Sequence, residues 1–165
     1  GDTVIIPLIV TQPEITTDES AFRPAPEQVT WETVASGTQA TGVQDQRFEI
    51  IASQQQLVSF WTRAHASQLQ PPPLPDADFR RETLVAIFMG QRPTGGHAVE
   101  VRRVSDERGE LYLDVAFVAP AAGAMTTQAV TSPWTLVRVL RGGYPVAWIR
   151  DASDGTLVGV ARRTE

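Results

Sequence analysis

Apolar and polar positions alternate with a period of two through most of the second half of the chain. In ELYLDVAFV, Leu111, Leu113, Val115 and Phe117 fall on one face, the pattern of a strand with a single buried side. HAVEVRRV places Val99 and Val101 opposite Glu100 and Arg102. TLVAIFM, Thr83 to Met89, is apolar on both faces and predicts a central strand covered from both sides. WTLVRVL, YPVAWIR and TLVGVARR complete the set. DERG, ending in Gly109, reads as a hairpin loop, and Gly142-Gly143 and Asp154-Gly155 read as turns. Upstream, VTWETV (29–34) and RFEIIAS (47–53) are further strand candidates. The period changes once. Leu57, Phe60, Trp61 and Ala64 follow the i, i+3, i+4, i+7 spacing of an amphipathic helix. Ser53 with Gln56 forms a capping-box start, and PPPLP (71–75) blocks continuation. The pattern predicts a mainly β (α+β) fold: an antiparallel β-sandwich or open barrel with one amphipathic helix packed on it.

The first 28 residues read differently. TVIIPLIV (3–10) resembles a short strand interrupted by Pro7, which confines it to an edge, a strand end or a bulge. The Pro-, Glu- and Thr-rich stretch that follows has no periodicity and reads as an extended arm. The chain therefore divides into an N-terminal strand and arm, 1–28, and one β-rich domain, 29–165. Its 165 residues suit a single core better than two.

Composition narrows the function classes. A net charge of −5 disfavours nucleic acid, whose phosphates call for a basic face. No basic amphipathic helix or bilayer-length apolar run supports membrane binding through the domain itself. Cys, Lys and Asn are absent and every basic side chain is Arg. The absence of Cys removes thiolate chemistry, disulfides and sulfur-ligated metals, while the loss of Lys and Asn fits a GC-rich genome. The sequence opens GDTV rather than with Met, so either a signal segment has been removed or Gly1 is a cloning scar. The former agrees with an extracytoplasmic protein.

Catalytic chemistry finds little support. His65 and His97 are the only histidines, with no partners at metal-ligand spacing. His65 sits beside the apolar face of the helix and reads as a boundary residue. No G-x-S-x-G elbow exists, and Ser132 before Pro133 reads as a turn residue. Asp76 and Asp78 in PDADF are half a calcium loop at most, and Asp78 reads as a brace for the strand that follows. No cofactor, metal or catalytic residue is expected. One stretch stands apart: GQRPTGGHAVEV, from Gly90 to Val101. It lacks the Lys and the following helix of a phosphate loop. As hairpin punctuation, Gly90, Gly95 and Gly96 supply positive φ and Pro93 a fixed turn position. As a recognition loop, it displays Arg92 and Thr94 on a rigid turn. On the residues alone the two readings balance.

The order of the motifs resembles the PrcB family, named for a subunit of a bacterial surface protease complex, and in particular its C-terminal domain. The matching parts are Asp78-Phe79, the apolar strand ending in Gly90, the Pro93–Gly96 turn, the Val-Glu-Val strand, Pro120 with Gly123, and Ser132-Pro133-Trp134. Together they span roughly residues 47–140. The resemblance implies an exported or lipid-anchored accessory module that assists or stabilises a partner protease, and supplies no catalytic residues. A membrane would then be met only through an N-terminal anchor. Pro93-Thr94-Gly95-Gly96 and Ser132-Pro133-Trp134 also resemble, with departures, two adjacent loops of chagasin-type protease inhibitors. One Thr is replaced by Gly, and Ser132 stands where an Arg would precede Pro-Trp. The expected contact surface is the Gln91–His97 loop with the Ala121–Trp134 loop, and within them Arg92, Pro93, Thr94, Gly95, Gly96, His97, Ser132, Pro133 and Trp134, with a protein partner. Inhibition of a protease through these loops, and self-association of an envelope domain through the N-terminal arm, stand as alternatives.

Overall fold

The computed structural model describes residues 26–164. The predicted N-terminal strand, 3–10, lies outside them. Nine strands and one helix follow in order: β1 (Glu27–Gln28), β2 (Trp31–Gly37), β3 (Arg47–Ile51), α1 (Gln54–Ala64), β4 (Thr83–Phe88), β5 (Ala98–Glu107), β6 (Glu110–Val118), β7 (Trp134–Val139), β8 (Val146–Asp151) and β9 (Leu157–Arg162). They form a five-stranded sheet, β1-β5-β6-β8-β9, and a four-stranded sheet, β2-β7-β4-β3. The predicted β-sandwich with one helix is the observed fold.

Its layering follows from which strands are apolar on one face and which on two. Leu111, Leu113 and Val115 of β6 point inward with Val99, Val101 and Val104 of β5. They meet Val85 and Ile87 of β4 and Val137 and Val139 of β7 across the sandwich. The opposite side chains of β4 and β7, Leu84, Ala86, Phe88, Trp134 and Leu136, form a second core with Leu57, Phe60, Trp61 and Ala64 of α1. All six residues of β4 are buried, as its two-faced apolar pattern predicts. Burial of each such large side chain contributes about 1.5–3 kcal/mol, which outweighs the marginal intrinsic stability of an eleven-residue helix. The Ser53 side chain accepts a hydrogen bond from the Gln56 N–H (3.2 Å). The return bond differs from a capping box: Gln56 Oε1 accepts from Ala52 N–H at 2.7 Å, one residue before the cap.

Strand pairing departs from the simplest reading of the turns. Only β5–β6 and β8–β9 are sequence-adjacent hairpins within the five-stranded sheet. The first closes on Arg108-Gly109, both at positive φ (60° and 84°), a two-residue turn matched to strand twist. The Gly90–His97 stretch is not a hairpin, because β4 pairs with β3 and β7 while β5 lies in the other sheet. Gly142-Gly143 likewise carries the chain between sheets. The physical reason is the second apolar face of β4 and β7, which needs α1 on one side and a whole sheet on the other. One consequence is a parallel strand pair, β6–β8, where the other strand pairs among the described residues are antiparallel: the excursion through β7 returns the chain to the first sheet in the same direction. Gly142 is where this crossing is tightest, since a Cβ there would lie 2.4 Å from the Arg80 carbonyl oxygen.

A buried polar cluster secures the crossing. The Tyr144 hydroxyl donates to Asp106 Oδ2 at 2.6 Å, and Arg141 donates to the same oxygen at 2.9 Å. Asp106 Oδ1 accepts from the Gly109 N–H at 2.9 Å, tying β8's approach to the β5–β6 turn. Burial pushes the Tyr144 phenol up to about 12, reinforced by its bond to Asp106. Burial raises Asp106 as well, but the bonds from Tyr144, Gly109 and Arg141 outweigh it and hold its carboxyl below the usual range. Two pH limits follow. The Asp106 contribution is present above its unfolded value near 4 and is lost as pH falls through the lower folded value. The Tyr144 contribution is complete below about 10 and is lost as pH rises toward 12. Asp106→Asn is expected to destabilise the protein by about 1–3 kcal/mol at pH 7. The gap from wild type should shrink below pH 4 in urea titrations; a gap independent of pH would contradict the ionised cluster.

Candidate functional site

The two loops singled out by sequence do meet. Residues 89–97 join β4 to β5, and residues 119–133 join β6 to β7. Arg92 and Thr131 exchange both backbone hydrogen bonds, at 2.8 and 2.9 Å. Gly95 N–H donates to Thr127 O at 3.0 Å, and Thr131 Oγ1 donates to Thr94 O at 2.8 Å. The glycines have separate tasks. Gly90 and Gly96 take positive φ, 91° and 86°. At Gly95 the need is space, because a Cβ would lie 2.5 Å from Thr127 Oγ1. The loop is therefore a zippered crossover that caps one end of the sandwich.

Its side chains are not all where the motif order suggests. Pro93 and Gly96 are exposed, while Arg92, Thr94, Gly95 and His97 are half-buried. Ser132, Pro133 and Trp134 lie in the interior. Ser132 Oγ donates to Val43 O at 3.0 Å, its N–H donates to Thr38 O, and Pro133 O accepts from Met89 N–H. Trp134 is 2 % exposed and stands edge-on to Phe60, with ring centroids 5.5 Å apart. These three residues are struts beneath the loop and form no exposed edge beside Pro93–Gly96. What reaches the surface instead is the stretch before them. Ala121, Ala122, Ala124 and Met125 are exposed, Met125 at 99 % and Val130 at 52 %. A signal for this crest exists in the sequence: no charged residue occurs between Asp114 and Arg138.

A second feature has no sequence signature. β3 is an edge strand, and along it runs a cleft of about 840 Å³. Its walls are Gln55, Gln56, Ser59 and Arg63 of α1 on one side and Arg162 and Thr164 at the end of β9 on the other. Every residue of β3, Arg47 to Ile51, lines it. Gln56 Nε2 donates to Thr164 Oγ1 at 3.1 Å, closing one end. Phe48 packs toward the sandwich interior against Gly159, where a Cβ would lie 2.6 Å from its ring.

Glu49 is the electrostatic centre of this cleft. Arg63 grips it with two parallel bonds, 2.6 and 2.7 Å, and Arg47 also bonds it. Burial raises the Glu49 carboxyl, yet the two arginines outweigh burial and hold it below the usual range. The Arg63 guanidinium is raised in turn, chiefly by its bond to Glu49. Arg162 has no carboxylate partner among the described residues and rests over the Trp148 ring at 5.9 Å.

Neither feature assembles a reacting group. His65 Nδ1 lies 3.0 Å from Trp61 O, and the ring packs against Trp61 and Trp134. His97 Nε2 lies 3.4 Å from Thr94 Oγ1. Asp78 Oδ1 accepts from Arg80 N–H and its carbonyl accepts from Arg81 and Glu82, bracing the entry to β4. Among the described residues no group of His, Asp and Glu is placed to hold a metal ion.

The placement of Trp134 has a measurable consequence. Trp134→Ala is expected to cost about 3–5 kcal/mol, the usual penalty for deleting a buried aromatic. Met125→Ala should change stability by less than about 0.5 kcal/mol. Chemical denaturation of the two variants should separate them clearly; equal midpoints would contradict the buried assignment.

The model of the PrcB C-terminal family matches residues 83–139, the span from the start of β4 to the end of β7. Comparison with curated proteins and with solved structures returned no match. The matched span contains the central strand, the zippered loops and the uncharged crest, and omits α1, β3 and β9. From β4 to β7, then, this chain is similar to the PrcB C-terminal family.

Proposed function

We propose that the domain is a non-catalytic binding module that holds a protein partner against its loop crest, and that the partner is a protease. The observation that supports this reading most is the crest itself. A run without charge, with Met125 fully projecting, is mounted on a base fixed by backbone bonds. Depletion of charge with Met at the centre is the composition of an interface core. A rigid base lowers the ordering cost of binding. The protease is the finer part of the proposal and rests on the PrcB family, whose founding member serves a protease complex. Export from the cytoplasm belongs to the same reading.

Direct inhibition by two adjacent loops receives less support. Pro93–Gly96 lies at or near the surface, but Ser132–Trp134 serves as packing. An inhibitory edge would have only one of its two loops.

Charge placed on the crest should abolish partner capture without unfolding the domain. Met125→Glu combined with Ala122→Glu is expected to weaken binding of proteases from the native exported proteome by at least about thirtyfold, the value of one interface hot spot. The partners would be identified by cross-linking through residues 121–130. Unchanged capture by the double variant, with its unfolding midpoint preserved, would defeat the crest assignment. Loss of a captured protease's activity in the complex would favour inhibition over accessory binding.

A further inference from the structure

We infer that the open edge of β3 is a second binding site, which accepts an extended acidic segment of another protein as an added strand. The inference is independent of the crest, which caps the end of the sandwich while the cleft runs along its side.

Three observations converge on this cleft. First, among the described residues β3 pairs only with β4, so alternate residues of Arg47–Ile51 direct backbone N–H and C=O groups out of the sheet. Second, the space beside that edge is neither flat nor filled. It is a trough of about 840 Å³ with α1 as one wall and the end of β9 as the other, so an incoming chain would be guided along the strand direction. Third, the lining carries three arginines, Arg47, Arg63 and Arg162, against one carboxylate, Glu49. That carboxylate is already engaged by two of the arginines. The cleft is thus locally positive on a chain whose net charge is −5.

These features specify complementary chemistry. Main-chain pairing supplies affinity independent of sequence, and alternate side chains supply selectivity. Carboxylates on the occupant would face Arg162, which has no acidic partner among the described residues, and Arg47, whose side chain is 61 % exposed. A basic strand would be repelled at the same positions. Charged residues on an edge also discourage indiscriminate pairing, so the arrangement admits one class of strand while excluding others.

The test uses the whole chain and labelled synthetic peptides. The first alternates valine with glutamate over seven residues. The second replaces glutamate with lysine. The third is the acidic peptide with alternate backbone amides methylated, in two versions that cover both strand faces. Fluorescence anisotropy at low salt should show the acidic peptide binding in the micromolar range, and the lysine peptide at least about tenfold weaker. One of the two methylated versions should lose binding, because its donors toward β3 are gone. Hydrogen exchange should show the outward amides of Arg47–Ile51 becoming protected only on adding the acidic peptide. Arg162→Glu should weaken the acidic peptide about tenfold, while Met125→Glu should leave it unchanged. Equal binding of acidic and lysine peptides, indifference to both methylation patterns, or no binding would overturn the inference. So would full protection of β3 amides in the free protein, which would mean that the edge is taken by residues 3–10 or by a second copy; sedimentation separates those two.

Discussion

The contact of Phe60 with Trp134 and Phe88 fixes the architecture around it. Phe60 lies 5.5 Å, centroid to centroid, from both rings, and this anchors α1 to the outer face of the four-stranded sheet. Because Trp134 is the first residue of β7, the same contact holds the end of the long loop that carries the crest. Because α1 follows β3 after a two-residue connection, it also sets the distance between the helix and the open edge. Both proposed surfaces are therefore consequences of one aromatic cluster that neither of them exposes.

The cluster explains the tolerance of a fold with little helix for so asymmetric a layering. A sheet with two apolar faces requires two covers, and a single short helix is a small one. Three large side chains from α1 and the inward rings of β4 and β7 concentrate enough apolar area to suffice. Trp61 extends the cover by donating from Nε1 to Pro72 O at 2.9 Å, which draws the proline-rich segment down over the helix. The outer face of the five-stranded sheet is treated otherwise. Tyr112 and Trp148 stack there at 6.2 Å, with Arg150 and Arg162 over their rings, so side-chain stems and guanidinium groups do the work of a third layer.

Strand identity was legible because it is a local property. Leu111, Leu113 and Val115 alternate, Thr83–Phe88 do not, and each pattern matches its environment. Helix α1 was equally legible, down to the cap at Ser53. Pairing was not, because a Gly-rich turn between two strands looks the same whether the chain folds back or crosses over. Ser132-Pro133-Trp134 illustrates the same limit at the site. Polar and turn-forming residues suggest surface, yet Ser132 is buried with both its N–H and its hydroxyl satisfied by backbone carbonyls, and an indole at a strand start can face either way. The cleft was invisible for a simpler reason. Its lining comes from residues 47–63 and 162–164, which no window joins.

The parallel pairing of β8 on β6 also imposes an order on assembly. The β5–β6 and β8–β9 hairpins close short loops, whereas β8 can reach β6 only after the chain has travelled through β7 and back. Loop-closure entropy makes such non-local pairing slower than hairpin closure. The last wall of the cleft, Arg162 and Thr164, arrives with the β8–β9 hairpin and is seated only when β8 reaches β6. The cleft is therefore the product of a long-range closure and not of either hairpin alone, so a chain in which only the hairpins had formed would offer no trough to a partner.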